Sequence, residues 1–325
     1  MAIQFRRVDG REFAIEAAAI LSSAWQLPGL HYSPEYLQWQ LSFPGEWPVP
    51  AIAAFSGSTP VGFAAGTHRR MRYQTTSLDA VVVSFVAVHP GHRNQGIAAG
   101  LYRNLLALLM EVRANVLTFA QSNSAGQRMI QKAYPDAGFQ LTPFGTYGIF
   151  GCMGQVSPVS TPWSQAAASE SARDLSRVVD LLASGNGLLW SDPSEDQLRH
   201  YEVDPRDRRL LMYRDADGTL SGAAWAVRAE HATSRGIELV PTIECLWLDR
   251  SRTAVLRELA AVTANVWSNL SRPSIVHASN LCGFDAEALR REGFRQIAAS
   301  FQGYAAAPSG TAIRMEAMGC NLEVV

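Results

Sequence analysis

The sequence is poor in features that would tie the chain to nucleic acid, to a membrane or to a secretory route. Its formal net charge is −1, and Lys132 is its only lysine, so arginine supplies nearly all of the positive charge. Such a chain offers no large cationic surface for the phosphates of RNA or DNA. No apolar run of 18 residues is present, and the first residues lack the apolar segment of a signal peptide. We expect a cytoplasmic protein with no nucleic-acid or membrane partner.

Cysteine is also scarce. The four cysteines lie far apart and none forms a CxxC pair, which argues against a zinc site and predicts no metal cofactor. Wide spacing in a chain of this length favours buried free thiols in a reducing compartment. They are Cys152, Cys245, Cys282 and Cys320.

The hydrophobic pattern predicts an α/β fold, a mixed sheet with helices packed against it. Hydrophobic residues make up 47% of the chain and charged residues 18%, as in soluble proteins with a proper core. Residues 81–88 (VVVSFVAV) are almost continuously apolar, which predicts one buried central strand. Further strands are predicted at residues 3–8, 51–55, 61–67, 116–120 and 139–152, and helices at 12–25, from Ser33-Pro34, from about 96 to 112, and at 124–137.

The second half of the chain repeats the spacing of the first. Val88 lies 26 residues after Gly62, and Leu248 lies 26 residues after Gly222. The mismatch falls in one loop, where the second half is five residues shorter. Other pairs with matching spacing are Ser33 and Leu37 with Ser194 and Leu198, and Leu101 and Gly138 with Leu256 and Gly293. Such a repeat predicts two copies of one fold.

Residues 154–171 are rich in Ser, Pro and Ala, which is typical of a linker. We therefore predict a first domain at residues 1–153, a linker at 154–171 and a second, degenerate domain at 172–325. The two halves would pack as a pseudo-dimer within one monomeric chain, and the second would bury an apolar face against the first.

The loop that the second half lacks carries the chemistry. Residues 88–98 read Val-His-Pro-Gly-His-Arg-Asn-Gln-Gly-Ile-Ala, a strand end, a tight loop and a helix start. The first N–H groups of a helix have no intrahelical partner, and the helix dipole adds partial positive charge. Gly96 would let the backbone approach a phosphate closely, with Arg93 as a nearby cation. A pyrophosphate is the expected occupant.

These residues resemble the donor-binding motif of the GNAT superfamily of N-acetyltransferases, Gln/Arg-x-x-Gly-x-Gly/Ala after a valine-rich strand. The match is Arg93-Asn94-Gln95-Gly96-Ile97-Ala98. The later motif of the family, Asn followed by Tyr-x-x-x-Gly-Phe, matches Asn123 and residues 134–139, with the asparagine about one helical turn further away than usual. The resemblance covers residues 1–150 well and 171–305 only as a degenerate copy.

The resemblance implies a fold of two tandem GNAT-like domains and a reaction with acetyl-CoA or another acyl-CoA as co-substrate. The pyrophosphate would bind the loop, with Asn123 contributing, and the pantetheine arm would lie along Val86 and Val88 as an added strand. A backbone N–H of that strand would stabilise the oxyanion. Tyr134 would protonate the departing thiolate as general acid, or alternatively is a packing residue.

The general base and the acceptor site are less defined. Ser84 is the only polar residue of the apolar run; it is a poor base at neutral pH and is instead expected to contact the acceptor. His31 and Tyr32 lie between the first two helices, where this family shapes the acceptor pocket; packing at the helix start is the alternative. Residues 68–72 (HRRMR) form a basic cluster that is either a solvated face or a site for an acidic acceptor or the 3′-phosphate of the nucleotide. His89 and His92 are expected to be exposed loop residues.

The sequence thus predicts an acyl-CoA-dependent N-acyltransferase that acts on a primary amine of a small molecule, with one donor site per chain. In the second half, Leu248 is followed by Asp249 and no glycine, and Leu289 stands where the first half has Tyr134. Two other functions stay open: an acyltransferase that uses aminoacyl-tRNA, and a CoA-binding module without catalysis.

Overall fold

The computed structural model of the chain describes residues 2–25, 29–154, 161–166, 171–183, 188–267, 274–278, 284–298, 300–309 and 319–321. The helices within these residues are α1 Ala14–Ala24, α2 Pro34–Gln40, α3 Ile97–Glu111, α4 Ala125–Asp136, α5 Ser171–Ala183, α6 Glu195–Tyr201, α7 Leu256–Asn265 and α8 Ala286–Arg291. The strands are β1 Ile3–Arg7, β2 Gly29–Leu30, β3 Ala51–Ser56, β4 Thr59–Tyr73, β5 Thr76–Val83, β6 Ala87–Val88, β7 Asn115–Gln121, β8 Phe139–Tyr147, β9 Phe150–Gly154, β10 Trp163–Gln165, β11 Leu188–Ser191, β12 Arg209–Arg214, β13 Leu220–Thr233, β14 Gly236–Leu248, β15 Ser274–Ala278, β16 Arg295–Gln296, β17 Phe301–Pro308 and β18 Gly319–Asn321. None of the helices in these ranges is both long and apolar enough to span a membrane.

Two mixed sheets form the framework and repeat the same pattern. The first has the order β1-β3-β4-β5-β7-β17-β8, and the second has the order β10-β12-β13-β14-β15-β9-β16. Gly62 lies opposite Val88 in the first sheet, as Gly222 lies opposite Leu248 in the second. Helix starts repeat too, because Ser33 and Ser194 each cap a short helix through the side-chain oxygen. The predicted mixed α/β fold in two tandem copies is confirmed.

The sheets exchange strands. β9, which follows β8 in the chain, pairs with β15 and β16 in the second sheet. β17, near the other end of the chain, lies between β7 and β8 in the first sheet. Residues 139–152, expected as one strand, are therefore two strands in different sheets. The domain boundary at 153/154 stays a prediction.

A shared apolar core joins the two halves. It contains residues of α1 and α2 from the first half, such as Leu21 and Leu37, together with Val179 of α5, Trp190 of β11 and Trp247 of β14. All five side chains are almost completely buried. The second half thus packs an apolar face against the first, as the sequence suggested. Cys152 and Cys245 are buried free thiols, whereas Cys282 lies outside the described residues.

The central strand of the first sheet is interrupted, which corrects the expectation of one strand over residues 81–88. β5 pairs with β7 only as far as the Val83–Thr118 pair. The Val86 N–H then donates to the Ser84 carbonyl at 3.1 Å, a tight turn that ends β5 before β6 begins. β7 continues beyond Thr118 and pairs with β17 on its other side. A gap therefore opens between β6 and β7, here called the sheet cleft.

Candidate active site

The loop at the mouth of the sheet cleft has the geometry of an anion site. Pro90–His92 form a single 3-10 turn, and Gly96 caps α3 with a left-handed φ of 74°. The first helical hydrogen bond runs from the Gly100 N–H to the Gly96 carbonyl at 3.0 Å. The N–H groups of Ile97, Ala98 and Ala99 accordingly have no intrahelical acceptor. These donors, together with the helix dipole, favour an anion at this end of α3.

The space above this loop is open. A Cβ atom built at Gly96 would meet no atom within 4 Å, so the backbone there can be approached directly. Asn94 also has a positive φ, of 62°, and both Asn94 and Gln95 are exposed. Arg93 donates to the Ala24 carbonyl at the end of α1, which ties the loop to the first helix. In this structure its guanidinium thus anchors the loop.

β6 presents a free edge to the cleft. The His89 N–H donates to the Val61 carbonyl of β4 at 2.9 Å, and Val88 faces Gly62. Because polar groups of successive residues point to opposite sides of a strand, the N–H and carbonyl of Val88 point away from β4 and into the cleft. The side chains of Val86 and Val88 are half-buried and pack on the core under α3. An extended chain could pair with this edge.

Tyr134 lies at the closed end of the cleft. Its side chain is fully buried, with ring centroids 6.2 Å from Tyr102 and 5.9 Å from Phe139. Its hydroxyl lies beside Thr118, yet makes no well-formed hydrogen bond with any described residue. Thr118 directs its own hydroxyl to the Val83 carbonyl at 3.5 Å. Burial raises the pKa of Tyr134 well above its usual value, Tyr102 adds to this rise, and Thr118 partly opposes it. The phenol therefore stays protonated at neutral pH.

Asn123 lies at the same edge of the sheet as the anion site. It follows β7, and β5 and β7 are parallel, so the loops after both strands lie at one end. Asn123 has a positive φ of 63° and is exposed. Its N–H donates to Oε1 of Gln127 at 2.6 Å, and its carbonyl accepts from Arg128 at 3.3 Å. Its side chain remains available at the mouth of the cleft.

The residues expected on the acceptor side lie at the junction of the halves. The Tyr32 ring is 3% exposed and meets the Phe85 ring edge-on at 5.7 Å, directly behind the tight turn that ends β5. The His31 N–H donates to the Glu230 carbonyl of the second half at 2.8 Å. Ser84 is half-buried, and its N–H donates to the Ala65 carbonyl at 3.3 Å. Tyr32 and Ser84 are thus close to Phe85, while His31 faces the second half.

The basic cluster at residues 68–72 is largely buried or ion-paired. His68 is 3% exposed and Arg69 is 1% exposed, with the Arg69 guanidinium 3.9 Å from the Phe43 ring centre. Arg72 binds Asp192 at 3.0 Å and Asp180 at 2.9 Å, and both acids belong to the second half. His68 and Arg69 are therefore not part of a solvated face, and Arg72 joins the two halves.

Several charged residues of the second half line a cavity that the sequence did not predict. A cavity of about 180 Å³ between the halves is lined by His31 and Tyr36 from one side and by Arg206, Arg228 and Glu230 from the other. The two sets lie some 170–200 positions apart in the chain. No spacing rule could have brought them together.

The second half supplies its own anion where the first half has open N–H groups. The Asp249 carboxylate accepts hydrogen bonds from the Ser251 N–H at 2.9 Å and from the Ser251 hydroxyl at 2.5 Å. Arg252, at the end of this turn, is paired with Asp215. Leu289 is buried at the position equivalent to Tyr134. No group of three or more metal-binding side chains occurs within the ranges described above.

Comparisons with known proteins agree with this geometry. Residues 15–134 match the family model described as the acetyltransferase (GNAT) family. A search of the curated proteins finds no significant match to the sequence.

Solved structures extend the likeness to the whole chain. The crystal structure of Saccharomyces cerevisiae N-myristoyltransferase with bound myristoyl-CoA is similar at a TM-score of 0.70 and 11% identity, covering 99% of this chain and 89% of that one. A further structure of that enzyme with myristoyl-CoA and inhibitors gives 0.69 and 11%, covering 99% and 86%. Identity this low shows a shared fold alone. The family match confirms the superfamily suggested by residues 93–98 and, with it, the prediction of an acyltransferase enzyme. Residues 15–134 of this chain match the acetyltransferase (GNAT) family, and the C-terminal half repeats the same sheet order.

Proposed function

We propose that the protein transfers an acyl group, in the first instance acetyl, from acyl-CoA to a primary amine of a small molecule. One observation carries the proposal. The sheet cleft has unpaired helix N–H groups at its mouth, a free strand edge along its wall and a buried phenol without a hydrogen-bond partner among the described residues at its closed end. Such a cleft matches the three parts of a CoA thioester, namely pyrophosphate, pantetheine and sulfur.

The residues that would hold the donor fit its chemistry. The N–H groups of Ile97, Ala98 and Ala99 would bind the pyrophosphate, because Gly96 leaves the space above them open. The amide groups of pantetheine would pair with the edge of β6 at Val88. The CoA thioester supplies the activated acyl group, so the chain itself needs no nucleophile.

In this proposal the chain positions the reactants and moves one proton. The neutral amine attacks the thioester carbonyl, the new C–N bond forms, and the C–S bond breaks. The nitrogen releases one proton to water, and Tyr134 regains from water the proton that it donates. Tyr134 donates its proton to the departing sulfur. Its raised pKa keeps the phenol protonated at neutral pH. A backbone N–H of the strand edge stabilises the negative charge that develops on the carbonyl oxygen.

Side chains fill the closed end of the sheet cleft, and this favours a short acyl group. Thr118, Tyr134, Tyr102 and Val83 pack there with almost no exposed surface. The yeast structures hold myristoyl-CoA, so acyl-chain length is the natural variable to test.

Thiol release with purified protein tests the proposal. Acetyl-CoA, butyryl-CoA and myristoyl-CoA are each offered with a panel of small amines, in the absence of RNA. We expect saturable release of CoA with acetyl-CoA and an acylated amine as product. Turnover only with added aminoacyl-tRNA would establish the first alternative, and tight CoA binding without transfer to any amine would establish the second.

A further inference from the structure

The cavity between the halves holds two charged side chains whose charges are incompletely compensated. It opens between α2 of the first half and β13 of the second, with Arg228 and Glu230 of β13 in its wall. Arg206, also in the wall, is already paired with Asp204 at 2.9 Å and with Glu244. Any new ligand would accordingly be recognised by the two β13 residues.

Arg228 shares its carboxylate partner, Asp207, with a second arginine. Its guanidinium lies 3.3 Å from Asp207, and the same carboxylate binds Arg209 at 2.6 Å. One negative charge therefore serves two guanidinium groups. The Nε of Arg228 is buried and has no hydrogen-bond partner among the residues that the structure describes. A half-buried guanidinium with a buried, unpaired Nε favours an additional anion, because leaving that donor unpaired costs free energy.

Glu230 supplies the negative charge of the cavity wall, and its charge is also incompletely compensated. His31 Nε2 lies 3.9 Å from its carboxylate, which is too far for a hydrogen bond. The side chain is 34% exposed and faces the cavity. It can therefore accept hydrogen bonds from an ammonium group.

The two charges lie on one face of β13. Residues two apart on a strand point to the same side, about 7 Å apart. A cation and an anion at this separation can bracket a carboxylate and an ammonium group on a single carbon atom. We propose that this cavity binds the α-amino-carboxylate head of the acceptor, and that the amine acylated in the sheet cleft is at the end of its side chain. The acceptor class is an α,ω-diamino acid, and this inference rests on the function proposed above.

The position of the cavity relative to the cleft separates the two ends of the acceptor. Tyr36 lines the cavity, its ring is 6.0 Å from that of Tyr32, and the Tyr32 ring is 5.7 Å from that of Phe85. The head in the cavity is thus two aromatic contacts away from the tight turn at the thioester. An α-amine held by Glu230 stays on the cavity side of these buried rings, and the Tyr32 and Tyr36 rings must move aside for the side-chain amine to reach the cleft.

Three amines of matched length test the inference. L-Lysine carries both head charges, cadaverine lacks the carboxylate, and 6-aminohexanoate lacks the α-ammonium. With acetyl-CoA and the wild-type protein we expect kcat/KM for lysine to exceed that for each of the others by about tenfold or more. The product, identified by NMR, should be acetylated on the side-chain nitrogen.

Two variants should separate the contributions of the two charges. Arg228→Gln should remove the preference for lysine over cadaverine, and Glu230→Gln should remove its preference over 6-aminohexanoate. Arg228→Lys should restore part of the first preference. Arg235→Gln and Glu238→Gln change a solvent-exposed ion pair at the turn of the same hairpin and should leave both preferences intact.

Calorimetric titration of lysine into the protein–CoA complex measures binding to the cavity in the absence of turnover. Binding that is lost in both Arg228→Gln and Glu230→Gln supports the inference. No lysine binding to the wild type, equal kcat/KM for the three amines, acetylation of the α-nitrogen, or equal losses for all three amines in Arg228→Gln would each overturn it. Failure of the proposed function would show itself differently, as absence of acyl transfer to every amine tested.

Discussion

Ser84 and Glu244 occupy equivalent positions in the central strands of the two sheets, each four residues before the residue that faces Gly62 or Gly222. At Ser84 the strand turns away and opens the sheet cleft. At Glu244 the strand only bulges, since Trp225 pairs with Cys245 and Ala226 with Ile243. The carboxylate that the first strand lacks is thus present in the second. There it is buried against Arg206 and Arg208, with 2.7 Å to the latter, which gives it a structural role.

Glu244→Gln should therefore lower stability strongly. The change removes one of the two carboxylates, Glu244 and Asp204, that are paired with two buried guanidinium groups, and breaking a buried pair costs roughly 3–5 kcal/mol. Urea unfolding at pH 7.5 measures the loss. Glu238→Gln, the same substitution at an exposed pair with Arg235, should cost less than about 1 kcal/mol. Equal effects of the two substitutions would contradict the structural role of Glu244.

Local signals in the sequence were sufficient for the framework and for the conformation of the loop before α3. The loop before α3 was predictable because Gly96 and the helix start lie within a few residues of each other, and the repeat was predictable because its glycine spacing survives. Two features of the structure could not be predicted from the sequence. The insertion of β17 between β7 and β8 joins residues more than 150 positions apart. The tight turn at Ser84 occurs within a run of apolar residues whose pattern alone indicates an unbroken strand.

Gly96→Glu should abolish CoA binding while the protein stays folded. A side chain at this left-handed position would fill the open space above the helix N–H groups and add a negative charge beside the pyrophosphate. Calorimetry with CoA should give one site per wild-type chain, because Asp249 already satisfies the corresponding turn in the second half. Gly218→Glu is the matched control, since Gly218 also has an open surround and a φ of 83°. Unchanged CoA affinity in a folded Gly96→Glu protein would refute the assignment.

Tyr134→Phe should lower kcat by roughly 10²–10⁴-fold if the phenol protonates the thiolate. CoA affinity should be kept, because the proposal assigns the hydroxyl to the sulfur of the donor and the loop before α3 to its pyrophosphate. Stability should change little, since this buried hydroxyl has no hydrogen-bond partner among the described residues to lose. Tyr102→Phe makes the same change in the neighbouring ring and should keep the wild-type rate. A wild-type kcat for Tyr134→Phe would make Tyr134 a packing residue.

Stability should fall as the pH drops below about 6.5. Burial, with a contribution from His231, lowers the pKa of His277 from 6.5 to about 4, and the two rings lie 4.8 Å apart. The unfolded chain therefore binds a proton at this ring well before the folded chain does, so its contribution is full above the unfolded pKa and is lost progressively toward pH 4. Because the ring keeps partial contact with water, the loss between pH 7 and 5 should be roughly 1–2 kcal/mol. His277→Gln should flatten the dependence measured by urea unfolding; an identical slope would contradict it.

A fragment of residues 1–155 should not fold into an active enzyme. The first sheet would lack β17, and β7 and β8 would then each present an unpaired edge in the middle of the sheet. The same fragment would expose the apolar faces of α1 and α2, which in the full chain bury Leu21 and Leu37 against Val179 and Trp247. Size-exclusion chromatography should show aggregates, and acetyl transfer should be absent. The full chain with Met153→Gln serves as a control for handling, because Met153 is 59% exposed and the change leaves both sheets complete. A soluble and fully active fragment would show that the first half needs neither the borrowed strand nor the shared core, and the retention of the second half would then need a reason other than completing the first.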